Sequence, residues 1–187
     1  MQKVWLIVFA GAGVLLATLV LQQFRLRYWM RENRFDTIIL EASAEYGVDP
    51  NLIKAVILRE SKFDPQTIGT VGEKGLMQVT DTVGSEWARA NKIDAFAPVK
   101  LFEPHINIRA GTWYLGKALG NWETAADPVP LALAEYNAGR KNVLRWMDEK
   151  SLRDTDHFMG RIGFPSTQSY VKTIVSQRRY YANSGEF

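Results

Sequence analysis

Asp49 to Pro65 read DPNLIKAVILRESKFDP, and this stretch carries clear start and stop signals for a helix. Asp49 is suited to cap the first turn, and Pro50 would occupy the first helical position, where no amide hydrogen is needed. Apolar residues recur at helical spacing over residues 52–57 and form one stripe. The helix must end before Pro65, because the residue before a proline is driven out of the α region.

Glu60 lies four residues after Val56 and therefore continues this apolar stripe. Burial disfavours the charged form of a carboxyl and raises its pKa, so such a group would hold a proton near neutral pH. A protonated carboxyl is what general acid cleavage of a glycosidic bond requires. The alternative is that Glu60 forms a structural ion pair with Arg59, Lys62 or a more distant cation.

Glu60 and Ser61 are followed by four further blocks that occur in a recognisable order. They are Gly75-Leu76-Met77-Gln78, residues 107–115 (NIRAGTWYL), residues 134–139 (AEYNAG) and residues 167–171 (TQSYV). Together the five blocks resemble the soluble lytic transglycosylase catalytic domain family, a group of lysozyme-like peptidoglycan lyases. The resemblance covers roughly residues 36 to 183, and five blocks in order are far more specific than any one of them.

The resemblance implies a mainly α, compact lysozyme-like helical domain that cleaves the β-1,4 bond between N-acetylmuramic acid and N-acetylglucosamine. Glu60 would protonate the leaving oxygen and then, as base, take the proton of the muramoyl 6-hydroxyl, which closes a 1,6-anhydro ring. This chemistry needs neither a second carboxylate nor an organic or metal cofactor.

The resemblance also implies a set of substrate-binding residues around this acid. They are Ser61, Thr70, Gly75, Met77, Gln78, Tyr136, Asn137 and Tyr170. A glycine at position 75 would allow the backbone to approach a sugar, and the Gln78 amide can both donate to and accept from N-acetyl groups. Met77 would pack under a pyranose ring or in the core, and each tyrosine would line the cleft or be half-buried core.

The sequence departs from the family pattern around the loop that precedes the second block. Gly69 stands where the family usually has a substrate-binding serine, with Thr70 beside it as a replacement. Glu73 and Lys74 replace the usual alanine, and Ser166 stands where a glutamate is common. Glu73 would either hold a water, which would turn the lyase into a hydrolase, or be a solvated loop acid.

Composition limits the remaining function classes. The 187 residues include no cysteine, which excludes disulfides, thiolate metal sites and a cysteine nucleophile. The two histidines lie far apart in sequence, so no metal-spacing motif is present. The net charge of +3 is compatible with cell-wall polymers, but no basic run is interleaved with aromatic residues as a nucleic-acid groove would need.

An apolar run over residues 4–21 predicts one N-terminal transmembrane helix, with residues 1–30 as anchor and juxtamembrane segment and residues 31–187 as the catalytic domain. A cleaved signal peptide is the alternative. Arg25, Arg27 and further arginines follow the run, and this charge bias alone would place the domain in the cytoplasm. Cleavage of the cell wall requires the domain to lie on the other side of the membrane, outside the cytoplasm. We therefore expect a single-pass protein of the inner membrane whose domain faces the periplasm or cell wall.

The periodicity of the remaining chain predicts helices without any sustained strand pattern. We expect helices over residues 35–46, from Pro50 to before Pro65, 80–90, 104–119, from 128 to Gly139, 142–147 and 166–181, with residues 151–165 irregular.

Two other functions stay open at this stage. A hydrolytic muramidase resembling goose-type lysozyme carries similar Glu-Ser and Gly-Leu-Met-Gln blocks, and Glu73 or Asp81 would hold its water. A non-catalytic peptidoglycan-binding subunit of an envelope or secretion complex would bind glycan strands without turnover, but it has no use for a buried acid.

Overall fold

The structure is a computed structural model that describes residues 18–24, 26, 30–185 and 187. The chain divides into two units, one ending at Phe35 and the other spanning Asp36–Phe187. Most of the predicted membrane helix, residues 4–17, lies outside the described residues. Among the helices that are described, none is both long and apolar enough to cross a membrane.

The second unit is built of α-helices joined by short loops. They are α1 (Asp36–Tyr46), α2 (Pro50–Ser61), α3 (Asp81–Ala90), α4 (Pro104–Asn121), α5 (Pro128–Ala138), α6 (Arg140–Trp146), α7 (Thr155–Arg161) and α8 (Pro165–Ser184), with a 3-10 helix at Pro98–Phe102 between α3 and α4. In the described part of the chain no strand forms, and only two isolated bridges, Ile68 to Lys74 and Lys74 to Val79, pair extended backbone. The mainly helical prediction is therefore confirmed.

Helices α2 and α5 supply the centre of the core. Residues 52–57 of α2 and residues 129–135 of α5 are buried without interruption. Helix α2 packs against α8 and α1, and α5 packs against α4, α8 and α6. The last helix thus touches both central helices, which brings residues more than a hundred positions apart next to the end of α2.

Side-chain caps fix where several helices begin, as their sequences predict. Asp49 accepts a hydrogen bond from the Asn51 amide at 2.9 Å, and Thr80 accepts one from the Val83 amide at 3.2 Å. Such a cap satisfies amides that have no partner within the helix.

The prediction of an irregular segment over residues 151–165 is wrong. Helix α7 lies there, and Asp154 caps it by accepting a hydrogen bond from the His157 amide at 2.9 Å. The helix has seven residues and only one buried side chain, Phe158, so it offers almost no apolar periodicity to read. Helix α4 also continues through Gly120, where we expected it to stop.

Candidate active site

Glu60 lies in the last turn of α2, half-buried, and its carboxyl is held by the last helix. The Tyr170 hydroxyl of α8 donates a hydrogen bond to Glu60 Oε1 at 2.7 Å. Burial raises the pKa of Glu60 to about 7; the Tyr170 hydrogen bond and the Arg59 charge oppose this rise, and the Glu73 charge adds to it. A carboxyl with this pKa is protonated in a large fraction of molecules at neutral pH and can donate that proton.

Tyr136 and Tyr170 both lie close enough to Glu60 to feel its charge. Burial raises the pKa of each hydroxyl well above the usual range of tyrosine, and the Glu60 charge contributes next. The Tyr136 hydroxyl donates to the Met77 carbonyl at 2.8 Å, so its proton is engaged by the backbone. The structure therefore brings together Glu60, both predicted tyrosines and the Gly-Leu-Met-Gln loop.

The Gly-Leu-Met-Gln loop is held by Asn107, a fully buried residue of α4. The Asn107 amide nitrogen donates to the Lys74 and Leu101 carbonyls, both at 2.7 Å, and its oxygen accepts from the Met77 amide at 2.7 Å. Gly75 has φ +73°, and a side chain there would lie 2.5 Å from the Asn107 amide nitrogen. Glycine is needed here for this backbone angle and for the close approach of Asn107.

Three of the residues predicted to bind substrate are buried in this structure. Met77 is completely buried and packs against Gly111 of α4. Ser61 is 7% exposed, and its hydroxyl oxygen lies 2.8 Å from the Leu76 carbonyl oxygen. Gly75 is buried against Asn107. All three are engaged by packing or hydrogen bonds within the protein, and their part in substrate binding stays a prediction.

The remaining predicted residues lie nearer the surface. Gln78 has φ +49°, and its amide nitrogen donates to the Thr67 carbonyl at 3.1 Å and the Gly75 carbonyl at 2.9 Å. Thr70 is exposed in the turn after Gly69. Asn137 is exposed at the end of α5, and its oxygen accepts a hydrogen bond from the Thr167 hydroxyl at 2.7 Å. Asn137 thus ties the end of α5 to the first turn of α8.

The two acids of the hydrolase alternative occupy different surroundings. Glu73 is half-buried, and its carboxylate accepts a hydrogen bond from the Val71 amide at 3.1 Å. Asp81 is exposed and forms an ion pair with Lys74. The charge of Glu73, but not that of Asp81, contributes to the raised pKa of Glu60. Within the described residues no cluster of histidine, aspartate and glutamate has the arrangement of a metal site.

Asn107 is the residue that sequence reasoning missed. Asn107 and Ile108 are buried in α4, whereas Ile106 is only half-buried. The sequence signal for it was a polar asparagine between apolar residues. Hydrogen bonds to distant backbone explain why Asn107 is buried, whereas helical periodicity does not.

Comparison with known proteins identifies the family. The model of the "Transglycosylase SLT domain" family matches residues 37–159. The chain belongs to this family. The resemblance drawn from the five sequence blocks is thereby confirmed.

Curated relatives and solved structures agree with this assignment. The chain is 32% identical over 170 residues to the membrane-bound lytic murein transglycosylase F of Desulfosudis oleivorans, an alignment that covers 87% of this chain and 34% of that protein. It is 31% identical over 121 residues to the membrane-bound lytic murein transglycosylase C of Yersinia pestis, covering 62% of this chain and 34% of that protein. The chain thus spans about a third of the length of these curated relatives.

Among solved structures, an inactive mutant of the lytic transglycosylase Slt of Pseudomonas aeruginosa superposes with a TM-score of 0.72 at 26% identity, covering 80% of this chain and 24% of that one. The 70-kDa soluble lytic transglycosylase of Escherichia coli gives a TM-score of 0.71 at 25% identity, covering 79% of this chain and 24% of that one. The helical fold of the described residues is therefore the fold of this catalytic domain.

Proposed function

We propose that the chain is a peptidoglycan lytic transglycosylase that cleaves the β-1,4 bond between N-acetylmuramic acid and N-acetylglucosamine, with Glu60 as its single acid and base. The observation that carries this proposal is the Glu60 carboxyl at the end of α2, half-buried, bonded by Tyr170 and with a pKa raised to about 7. Relatives and structural neighbours named lytic transglycosylases support the same reaction class.

In the first step Glu60 donates its proton to the glycosidic oxygen as the bond from that oxygen to the anomeric carbon breaks. Positive charge then develops on the sugar ring, as in other glycoside cleavages. In the second step the Glu60 carboxylate takes the proton of the muramoyl 6-hydroxyl while the oxygen of that group bonds to the anomeric carbon. The 1,6-anhydro ring closes, and Glu60 regains the proton that it gave.

The surroundings of Glu60 suit both steps. Tyr170 bonds to Oε1 only, so the second carboxyl oxygen is left for the substrate among the described contacts. The hydrogen bond from Tyr170 fixes the direction of the carboxyl and stabilises the carboxylate that exists between the two steps. A pKa near 7 allows the same group to give and to take a proton at neutral pH.

We also propose that residues 4–21 anchor the protein in the inner membrane, with the domain on the side of the cell wall. The apolar run supports this, as do the relatives from Desulfosudis oleivorans and Yersinia pestis, which are named membrane-bound. Fractionation of cells that produce the chain with and without residues 1–30 tests it, and recovery of the 187-residue chain in the soluble fraction would refute the anchor.

The decisive experiment is mass spectrometry of the muropeptides that the 187-residue chain releases from purified sacculi, with the Glu60→Gln variant beside it. Anhydro-muropeptides from the wild-type protein alone are the expected result. Sacculus binding without products from either protein would refute the enzyme and favour a binding subunit of an envelope or secretion complex. Thermal unfolding of both proteins checks that the variant is folded.

A hydrolytic muramidase is the second candidate, because Glu73 lies near enough to Glu60 to raise its pKa. A second carboxylate that holds a water is what an inverting hydrolase requires. The same mass spectra separate the two reactions: hydrolysis leaves free reducing ends, whereas the lyase leaves anhydro ends.

A further inference from the structure

Gly69 leaves space that the side chains of the same loop fill. Its φ does not lie in the left-handed region, so the backbone angle alone does not demand glycine. A Cβ atom at this position would overlap the Glu73 carboxylate, with the Glu73 carboxyl carbon 2.9 Å away and Gln78 Oε1 2.7 Å away. The missing side chain is therefore what allows two acceptor oxygens to lie over one point of the backbone.

The loop holds Glu73 in this position. Val71 donates its amide to the Glu73 carboxylate at 3.1 Å, and the Gly69 amide donates to the Glu73 carbonyl at 2.8 Å. Within the described part of the chain no lysine, arginine or histidine forms an ion pair with Glu73, since the neighbouring Lys74 pairs with Asp81. A carboxylate offers about four acceptor positions, and the Val71 amide uses one.

The side-chain amide nitrogen of Gln78 fixes the direction of its amide oxygen. Its amide nitrogen is engaged by the Thr67 and Gly75 carbonyls, which turns its oxygen toward Gly69. Among the described residues no group donates to this oxygen. The backbone of Gln78 adopts a left-handed angle that non-glycine residues rarely take, and such strain concentrates at sites of function.

The Glu73 carboxylate and the Gln78 side-chain oxygen converge without a hydrogen-bond donor from the described residues between them. They therefore favour a ligand that supplies the donor. The glycan of the proposed function carries hydroxyl and acetamido N–H groups on every sugar, and Glu60 lies close enough to Glu73 to feel its charge. A hydrogen bond from such a donor to a carboxylate is charge-assisted and about twice as strong as a neutral one.

Resting on the proposed function, we propose that Glu73 and Gln78 form an acceptor pair over Gly69 that binds a hydroxyl or acetamido N–H donor of the glycan next to the scissile bond. Glu73 is the determining member because it brings the charge. Gly69 contributes by its missing side chain. The pair acts in binding and does not hold a nucleophilic water.

The test measures binding apart from turnover. Isothermal titration calorimetry of peptide-free glycan strands with the 187-residue Glu60→Gln protein gives the reference affinity. This variant is used because it is expected not to cleave the ligand during the measurement. Adding Glu73→Ala is expected to weaken the affinity about ten- to a hundredfold, as expected for loss of a charge-assisted hydrogen bond. Glu123→Ala is the matched control, because this carboxylate is exposed and forms no side-chain hydrogen bond or ion pair with another described residue.

A substitution at Gly69 tests the geometry. Gly69→Ala must displace the Glu73 carboxylate, so it is expected to weaken binding by a similar factor and to have little further effect once Glu73 is alanine. Glu73→Gln, which keeps one acceptor oxygen, is expected to lie between wild type and Glu73→Ala. Equal affinity in the presence and absence of the Glu73 carboxylate, or fully additive effects of the two substitutions, would overturn the inference.

Products of the catalytically intact chain separate this inference from its alternatives. We expect anhydro-muropeptides from both the wild-type protein and Glu73→Ala, with a raised KM in the variant. Free reducing ends that disappear in Glu73→Ala would overturn the inference in favour of a water-holding role. No products from the wild-type protein together with no binding by the Glu60→Gln chain would reject the proposed function itself, and the acceptor pair with it.

Discussion

Two glutamates, Glu60 in α2 and Glu135 in α5, are withdrawn from solvent in very different surroundings. Glu135 is 4% exposed, and its two oxygens accept hydrogen bonds from Asn121 and from the Trp122 indole, each at 2.8 Å. Arg140 lies 3.7 Å from the same carboxylate. Glu60 has one donor, Tyr170, and burial raises its pKa to about 7.

The comparison teaches that burial alone does not make a general acid. Both oxygens of Glu135 receive donors and its carboxylate faces a cation, so its hydrogen-bonding capacity is taken up by the fold. Glu60 has a single donor and a pKa raised by burial, and its other oxygen has no donor among the described contacts. Glu135 stands beside Tyr136 within a signature block, so position in a motif could not separate the two roles; the hydrogen bonds do.

The largest expected effect is on activity. Glu60→Gln should lower kcat by about 10²- to 10⁴-fold, the contribution typical of general acid–base catalysis. Glu135→Gln should retain most of the activity of the folded protein, because its carboxylate contacts only the fold. Release of anhydro-muropeptides from sacculi, normalised to folded protein, measures both. A Glu135→Gln protein that is folded but as inactive as Glu60→Gln would break the comparison.

The next effect is a gain of stability when the acid is neutralised. The pKa of Glu60 is raised in the folded state, so the folded protein binds more protons than the unfolded chain between about pH 4.5 and 7. The free energy of unfolding therefore falls as pH rises through this window. Glu60→Gln should be more stable than wild type at pH 8, by at most roughly 3 kcal/mol for a shift of this size.

Urea unfolding at two pH values checks this. The advantage of Glu60→Gln over wild type should be present at pH 8 and nearly absent at pH 4, where folded Glu60 and most of the unfolded Glu60 are protonated. An equal difference at the two pH values would mean that packing, and not the carboxyl proton, separates the proteins.

Glu135→Gln should act in the opposite direction. The amide keeps one acceptor oxygen but turns a donor toward either Trp122 or Asn121, and the ion pair with Arg140 is lost. We expect a loss of about 1–3 kcal/mol in the free energy of unfolding, the range for a buried hydrogen-bonding group left without a partner. Urea unfolding at pH 7 measures it, with Glu123→Gln as an exposed control expected to change little. Unchanged stability of Glu135→Gln would contradict a structural role.

The sequence was sufficient for those parts of the fold and site that local signals specify. Asp49 and Pro50 predicted where α2 begins, and the apolar stripe of α2 predicted that Glu60 would be withdrawn from solvent. Helix α7 was missed because it buries one side chain and has no stripe to detect. The membrane helix at residues 4–21 stays a prediction.

Tertiary hydrogen bonds account for what the sequence could not supply. Met77 and Ser61 belong to signature blocks. Yet the Met77 side chain is packed in the core, and the Ser61 hydroxyl is hydrogen-bonded to the Leu76 carbonyl. The buried Asn107 amide makes three hydrogen bonds to backbone 6 to 33 residues away, and no local pattern encodes them. Motif membership thus predicts the region of a site better than the contact that each residue makes.

The smallest expected effect sharpens the comparison, because it tests the forces that set the Glu60 pKa. The proposed mechanism requires protonated Glu60, so kcat/KM should fall as pH rises through about 7. The Tyr170 hydrogen bond favours the charged carboxylate, so Tyr170→Phe should move this decline to higher pH. The Glu73 charge disfavours the charged Glu60 carboxylate, so Glu73→Gln should move the decline to lower pH. We expect each of the two shifts to be less than about one pH unit.

These two shifts of opposite sign are hard to obtain by accident. Loss of packing or of substrate affinity lowers kcat/KM at every pH but leaves the midpoint of the decline in place, whereas a change in the field at Glu60 moves the midpoint. Arg59, whose charge also acts on Glu60, is the same in both variants and cancels from their comparison. Midpoints that move in the same direction, or not at all, would mean that another group controls the decline. Glu60 would then no longer be distinguished from Glu135 as the general acid.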